Sequence, residues 1–356
     1  MKTNPTFIKH KTPRQEFYVA KSVEIRYKQR KEILIESLVL LLIISLLVLF
    51  FFIGAFYNFG YSHFDKNISW SNPLVKQHVI VEIETTISGL GLGVVGASLQ
   101  ATTKNDLSGP TTLGFVPAII LGIYIPIMCS GNSSINFFNS VGAKFLFAII
   151  FGFLMIIINF LLTYKNHDLK NNYVPLLVGF SIGVIFSVVC ILLSNYNLAI
   201  QQSGYNTQGI WSGINNINNN IAYIEYGAPL ILVPTIIIFM LSKYLNIVEK
   251  DRNIAKSLGV NVDLIYWIIG ILSVIIVASS ILMIGSIILL AIVTPHIARK
   301  LFRTTNYKMI LPFSSLLCAM LLNLSYLVTN ANNLLGINLV PILFSAPIFI
   351  VLLRKR

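Results

Sequence analysis

Apolar residues in this chain gather into long unbroken runs, without the alternation of a half-buried strand or the single stripe of a surface helix. A helix crossing hydrocarbon needs about 20 apolar residues, because every backbone N–H and C=O must be satisfied within the segment. Ten runs approach that length, at 33–57, 79–101, 112–129, 142–164, 173–195, 222–245, 263–284, 287–301, 309–329 and 338–353. The eighth is short, and Gly285-Ser286 is the main divider between it and the seventh. The first is too long for a signal-peptide core and no small-residue cleavage site follows it, so it reads as a retained helix. The pattern predicts an all-α polytopic membrane protein with about ten transmembrane helices.

Composition agrees: 55% apolar and 11% charged residues with a mean hydropathy of +0.77 do not suit a water-soluble globule. The net charge of +13 raises nucleic-acid binding as a possibility, and the placement of the charges removes it. With the N-terminus inside, ten spans leave 1–32, 102–111, 165–172, 243–262, 299–308 and 354–356 on the cytoplasmic face. Those segments hold every Lys and Arg except Lys66, Lys76 and Lys144, as the positive-inside rule requires. One span more or fewer would scatter them over both faces. The basic charge is thus a topology signal with affinity for anionic inner-leaflet lipid. Both termini are expected in the cytoplasm, with 1–32 a basic extension ahead of a ten-helix domain over 33–356.

Little of the remaining sequence suggests catalysis. Cys129, Cys190 and Cys318 lie in or at the ends of apolar runs without metal-ligand spacing, and no metal or cofactor is expected. Gly91-Leu92-Gly93-Val94-Val95-Gly96 matches the dinucleotide fingerprint by letter. That fingerprint needs a strand, a tight turn and a helix N-terminus, whereas these glycines, with Gly89, sit inside an apolar 20-mer where small residues let helices approach. No GxxxxGK[ST] phosphate loop occurs, so any ATP hydrolysis must come from another chain. His296 has no second ligand at metal spacing on its helix. Pro295 breaks the backbone ladder there, and His296 and Arg299 are positioned to satisfy freed carbonyls or to meet headgroups.

The polar island within 246–262 is placed to meet a soluble partner. Asp251 or Asn253 could cap a short helix over 254–258, with Gly259 ending it; a solvated basic loop is the alternative. At the other face, Glu82 and Glu84 project about 200° apart on a helix. Either one of them faces a pathway and favours a cationic or hydrogen-bonding cargo, or both sit at headgroup level beside Lys76 or Lys144. The stretch 196–221 is polar, uncharged and aromatic-punctuated; Tyr205 and Trp211 there suit either cargo entry or interface anchoring.

Several segments in order resemble the FecCD-type permeases of bacterial ABC importers for iron-siderophores, haem and cobalamin. They are the Gly-rich helix 89–100 ending in Gln100, the turn Lys104 to Gly114, the loop Ala255-Lys256-Ser257-Leu258-Gly259-Val260-Asn261, the Pro295-His296-Ile297-Ala298-Arg299 motif, and Ser345-Ala346-Pro347-Ile348-Phe349. The resemblance covers roughly 75–354 and implies a non-catalytic permease subunit in a bacterial cell membrane. It would work with an ABC ATPase dimer, a second permease copy or paralogue, and an extracellular substrate-binding lipoprotein. Iron-chelate, siderophore or haem, is the cargo it implies first, with cobalamin or another metal chelate behind. An ion-driven secondary transporter is the rival class, disfavoured by spans almost bare of charge. The resemblance implies that Asp251, Arg252, Ala255, Ser257, Leu258, Gly259, Val260 and Asn261 couple to the ATPase. It implies pathway positions at Gln100, Tyr205 and Trp211, beside Glu82 and Glu84, and structural roles for Gly89, Gly93, Gly96, Pro295, His296, Arg299 and Pro347.

The chain also departs from the family pattern. His78-Val79-Ile80-Val81 replaces an Arg-Leu-Pro-Arg that helps dock the binding protein, leaving Lys66, Lys76 and His78 as substitutes. Asn323 stands for an Asp, Ala291 for a Gly, and Asp251 and Arg252 where Gly and Glu are usual. The member is divergent.

Overall fold

The computed structural model describes residues 36–55, 57–58, 63–64, 73–130, 136–165, 173–196, 221–250, 252–285 and 289–331, together with Leu343 and Pro347. The extension 1–32, the stretch around Tyr205 and Trp211, Lys66, Asp251 and nearly all of 338–353 lie outside the described residues. Met1–Ser45 and Leu46–Arg356 form two separate units, and the larger holds every element from residue 57 onward.

The architecture is all-α apart from one antiparallel ladder of two residues a side, β1 (Tyr57–Asn58) with β2 (His63–Phe64). The helices are α1 (Glu36–Ala55), α2 (Pro73–Thr103), α3 (Phe115–Ser130), α4 (Asn136–Asn139), α5 (Val141–Lys165), α6 (Val174–Tyr196) and α7 (Ile221–Met240), followed by α8 (Ser242–Lys250), α9 (Arg252–Ser257), α10 (Val262–Ile284), α11 (Leu290–Phe302) and α12 (Tyr307–Ala331). Among the described residues seven helices are long and apolar enough to cross a membrane, and Phe115–Cys129 is a shorter apolar one.

The short eighth run, 287–301, folds as α11, 13 residues long, about 20 Å at 1.5 Å per residue. Gly285, which caps the end of α10, takes φ 85°, and Leu289, which precedes α11, takes φ 64°.

Central and peripheral helices differ in cover. The apolar windows of α2, α10 and α12 are 72%, 72% and 78% buried, against 17% for α6. Around α2 pack α12, α10, α11 and α7, while α3, α5 and α6 form a second group joined to the first through α10. On α6, Pro175, Gly179, Gly183, Cys190 and Ser194 are buried and Leu177, Phe180, Ile185 and Leu192 are exposed. A helix with small residues on its covered side and large apolar ones outside fits lipid on the outer side, where leucine is at no disadvantage.

Close approach to α2 depends on missing Cβ atoms. A Cβ on Gly96 would fall 1.6 Å from the Ala291 carbonyl oxygen of α11, and one on Gly93 would fall 2.3 Å from the Ser314 carbonyl oxygen of α12. Ala291 O is the carbonyl whose i+4 donor is lost at Pro295, so the gap in the α11 ladder is where the α2 backbone presses in. Gly89 likewise meets the Ala319 backbone. The fingerprint-like glycines therefore lie within one unbroken helix, Pro73–Thr103, without the strand and turn that a pyrophosphate site needs.

Candidate functional site

The segment between α7 and α10 is tied down by a polar cluster at the ends of four elements. Buried Leu245 and Val248 hold α8 against the core. From α8, Asn246 Oδ1 accepts the Tyr307 N–H at 2.8 Å and its Nδ2 donates to Asn306 Oδ1 at 2.9 Å. Asn306 caps α12, accepting the Lys308 N–H at 3.1 Å, one of the orphan donors of a helix start. A single asparagine of α8 thus grips the first turn of α12.

Tyr307 carries the connection onward. Its hydroxyl accepts Arg299 Nη2 at 3.0 Å, and the guanidinium lies 5.9 Å from the ring centroid. The other amine, Arg299 Nη1, meets Asp106 Oδ1 at 3.4 Å. Asp106 belongs to the turn that follows α2, and His296 Nε2 reaches its backbone oxygen at 2.9 Å, a donation that requires the Nε2–H tautomer. Glu249, half-buried on α8, completes the group: burial raises its carboxyl above the usual range, Arg299, Tyr307 and Lys104 oppose that rise, and Asp106 adds to it. Arg299 therefore bridges the end of α2, the C-terminal part of α11, the start of α12 and α8.

The turn after α2 is fixed locally. Lys104 takes φ 53°, Asn105 Oδ1 accepts the Leu107 N–H at 3.0 Å, and the Thr112 hydroxyl accepts the Gly109 N–H at 2.8 Å. An Asx turn of this kind lets an asparagine side chain stand in for a backbone partner. At the end of α2, Gln100 is buried and donates Nε2 to Ile292 O of α11 at 2.9 Å, stitching α2 to α11.

Beyond α8, α9 ends in a Schellman motif. The Val260 N–H bonds Ala255 O at 2.9 Å and the Gly259 N–H bonds Lys256 O at 3.0 Å, with Gly259 at φ 77°, the left-handed conformation that glycine adopts without penalty. Ala255 is buried, while Ile254 and Leu258, i and i+4 on one face, are 53% and 63% exposed. Ser257 is exposed and bonds Ile254 O at 2.9 Å. Asn261 caps α10, accepting the Leu264 N–H at 3.1 Å. The signal for this cap was an asparagine followed two residues later by Asp263 at the head of an apolar run.

Other expected positions fall elsewhere. His78 Nδ1 lies 2.6 Å from the Tyr326 hydroxyl, and Lys76 is half-buried on α2. The reading of Glu82 and Glu84 at headgroup level beside a lysine is corrected: both are 0% exposed on a helix whose apolar window is 72% buried, and neither carboxylate takes a hydrogen bond among the described residues. Lys144 donates instead to the Tyr223 hydroxyl at 3.1 Å. Arg299 is also corrected, from freed carbonyls and headgroups to Asp106 and Tyr307. His296 does satisfy a carbonyl, that of Asp106 and not one freed by Pro295. Asn246, Glu249, Asp106 and Tyr307 were not anticipated. Only the charge of the 246–262 segment marked their neighbourhood, and no motif pointed to Tyr307. Pro347 is described only as an exposed position.

A model of the FecCD transport family matches residues 36–355. The iron-uptake system permease protein FeuC of Bacillus subtilis is 28% identical over 236 residues, 66% of this chain and 69% of its own length. The heme-iron transport system permease protein IsdF of Staphylococcus aureus, a probable assignment by its name, is 27% identical over 269 residues, 73% of this chain and 75% of its own. Among solved structures, an inward-facing conformation of an ABC transporter of metal-chelate type, a provisional assignment by its name, superposes with a TM-score of 0.70 at 23% identity, covering 88% of this chain and 99% of that one, a likeness of fold.

Proposed function

Because the chain belongs to the FecCD transport family, we propose that it is the permease subunit of an ABC importer that moves an iron chelate, siderophore or haem, across a bacterial cell membrane. A separate ATPase dimer supplies the energy, a second permease copy or paralogue completes the pathway, and an extracellular binding lipoprotein delivers the cargo. The cargo class is supported by the names of FeuC and IsdF, one an iron-uptake and one a heme-iron permease.

The observation that carries the coupling reading is the exposed Ile254 and Leu258 pair on a short helix whose end is fixed by the Schellman bonds. Two large apolar side chains presented to water on a segment that the charge distribution places in the cytoplasm call for a soluble partner that covers them. The cluster of Asn246, Tyr307, Arg299 and Asp106 supports the same reading, because it joins α8 to the inner ends of α2, α11 and α12. A push on α9 then has a polar route into the spanning helices, and hydrolysis in the partner biases two arrangements of them.

The test is reconstitution with the ATPase and binding protein. Leu258→Glu places a charge where an apolar contact is expected and should uncouple ATP hydrolysis from uptake while leaving membrane insertion intact. Unchanged transport in that variant sinks the coupling assignment. Uptake of ferric siderophore against haem by cells carrying the intact importer then decides the cargo.

A further inference from the structure

The carboxylate of Glu82 presents an arrangement that the importer reading leaves unused. It sits in the third turn of α2, fully buried, with both oxygens lacking a hydrogen-bond partner among the described residues. A carboxylate without a partner in a low-dielectric interior is costly by several kcal/mol at least. The surroundings are shaped around it. A Cβ on Gly54 of α1 would overlap Glu82 Oε1, at 1.6 Å, so the glycine leaves the volume that the carboxylate fills.

Neutral oxygens crowd the same place. The Thr85 and Thr86 hydroxyls lie 3.0 and 3.2 Å from Asn323 Oδ1 of α12, and both also reach the backbone oxygen of Glu82. Glu82, Thr85 and Thr86 stand at i, i+3 and i+4 of α2 and so share one face of that helix. Beyond them His78 and Tyr326 make their 2.6 Å contact toward the start of α2. Glu84, equally buried, lies on the other face of the helix, the one on which Gly91 meets α7 and α10.

We propose that Glu82, Thr85, Thr86 and Asn323 form a binding site for one monovalent alkali cation, sodium or potassium. The donor set is all oxygen, which selects hard cations over zinc, copper or iron. One carboxylate balances one positive charge, whereas calcium and magnesium sites gather several. Among the described residues no three His, Cys, Asp or Glu side chains converge to hold a multivalent metal. Two helices supply the ligands, α2 and α12, so an ion there would fasten the most closely packed pair of the core. The charge distribution places this end of α2 outside, and His78, half-buried, stands between the site and that surface.

The test uses the full-length chain purified into lipid nanodiscs, with sodium chloride replaced stepwise by choline chloride at fixed ionic strength and pH. Sodium should raise the apparent Tm in a saturable way and radiolabelled sodium should bind at about one ion per chain. Glu82→Gln should abolish both, while Glu84→Gln should keep the binding. If Glu82→Gln does not fold, Thr85→Val supplies the reading: loss of one oxygen ligand worth about 1.4 kcal/mol raises the half-saturating sodium concentration roughly tenfold. Binding of neither sodium nor potassium, the latter titrated in the same way against choline, or binding retained at full affinity in Glu82→Gln or Thr85→Val, overturns the site. Stabilisation by acid with sodium inert also overturns it, since that marks a protonated carboxyl only. None of these readouts uses transport, so they stand apart from the fate of the cargo assignment.

Discussion

Replacing Gly96 by alanine is the sharpest test of how α2 is seated. The new Cβ would lie 1.6 Å from Ala291 O and 2.6 Å from the carbonyl carbon, and must reach at least 3.0 Å, an opening of about 1.4 Å between α2 and α11. Both obstructing atoms are backbone, so no rotamer change relieves them. Overpacking of this kind costs typically about 1–3 kcal/mol, and parting the helices also strains the Gln100 to Ile292 bond, 2.9 Å long and worth roughly 1 kcal/mol. Alanine's helix preference over glycine returns about 0.5–1 kcal/mol, leaving a net loss of roughly 2–3 kcal/mol. At roughly 2–4 °C per kcal/mol, the apparent Tm falls by about 5–10 °C. Gly91→Ala is the internal control. Its Cβ would meet the Cγ2 methyls of Ile231 and Ile276 at 2.6 Å, which move only with the χ1 of two buried β-branched side chains, so the loss is smaller than at Gly96 without vanishing. The assay is thermal unfolding of the two purified variants in the same detergent. Equal shifts, or a larger loss at Gly91, would refute the reasoning, because a phosphate-cradling loop and not helix seating would make the first glycine the intolerant one.

Three further outcomes follow from the polar cluster and the capped turn. Tyr307→Phe should cost about 1.5–3 kcal/mol, since it removes a hydrogen bond to a charged and largely buried guanidinium, whereas Asp106→Asn should cost at most about 1 kcal/mol because the Asp106 side chain is 54% exposed and the pair is screened; chemical denaturation of the two variants checks the order. Gly259→Ala should cost roughly 1 kcal/mol for the left-handed conformation alone, as no atom lies within 4 Å of the added methyl; Gly259→Asn should cost less, measured by the same method and by the coupling ratio. Glu249, whose carboxyl is raised by burial above the ordinary 4.5, holds its proton more tightly folded than unfolded. Its contribution is therefore present below the ordinary value and lost as pH rises through the raised one, so wild type should lose stability relative to Glu249→Gln across that window. A parallel pH profile for the two proteins would contradict this.

The spans were legible because hydropathy over some 20 residues reports directly on what hydrocarbon demands of a backbone. Gly259 was legible for a similar reason: a glycine closing a short polar run points to a left-handed cap. Burial of Glu82 and Glu84 was not, since it depends on the helices that pack around α2, and hydropathy cannot tell a helix at the centre of the protein from one in lipid. The partners of Arg299 were hidden for another reason. Asp106 and Tyr307 stand 193 and 8 residues from it in sequence, and only the folded ends of the helices bring them to one guanidinium. The reading of Arg299 near headgroups followed from its charge and its place at a span's end, and gave way to a geometry that charge alone does not encode.

Seen along α2, the oxygen cluster at Glu82 and the Arg299 cluster past Gln100 are two ends of one rigid part. The helix runs unbroken from Pro73 to Thr103, 31 residues, about 46 Å at 1.5 Å per residue, with proline only at its first position, where it does not disturb the ladder. Between the two clusters its contacts with α11 and α12 are glycine against backbone, at Gly89, Gly93 and Gly96. Seams of that kind have no interlocking side chains, so they resist sliding less than they resist separation, and an unbroken helix between them answers a change at one end by shifting as a body. Gln100 then carries the displacement into α11 through Ile292 O, and Asp106 carries it into Arg299. Under the proposed coupling role of α9, an event there and a change of charge at Glu82 act on the same helix. Gly96→Ala, which parts α2 from α11, should therefore weaken coupling by more than its loss of stability alone explains, measured as ATP hydrolysed per cargo molecule at a temperature where the variant is fully folded.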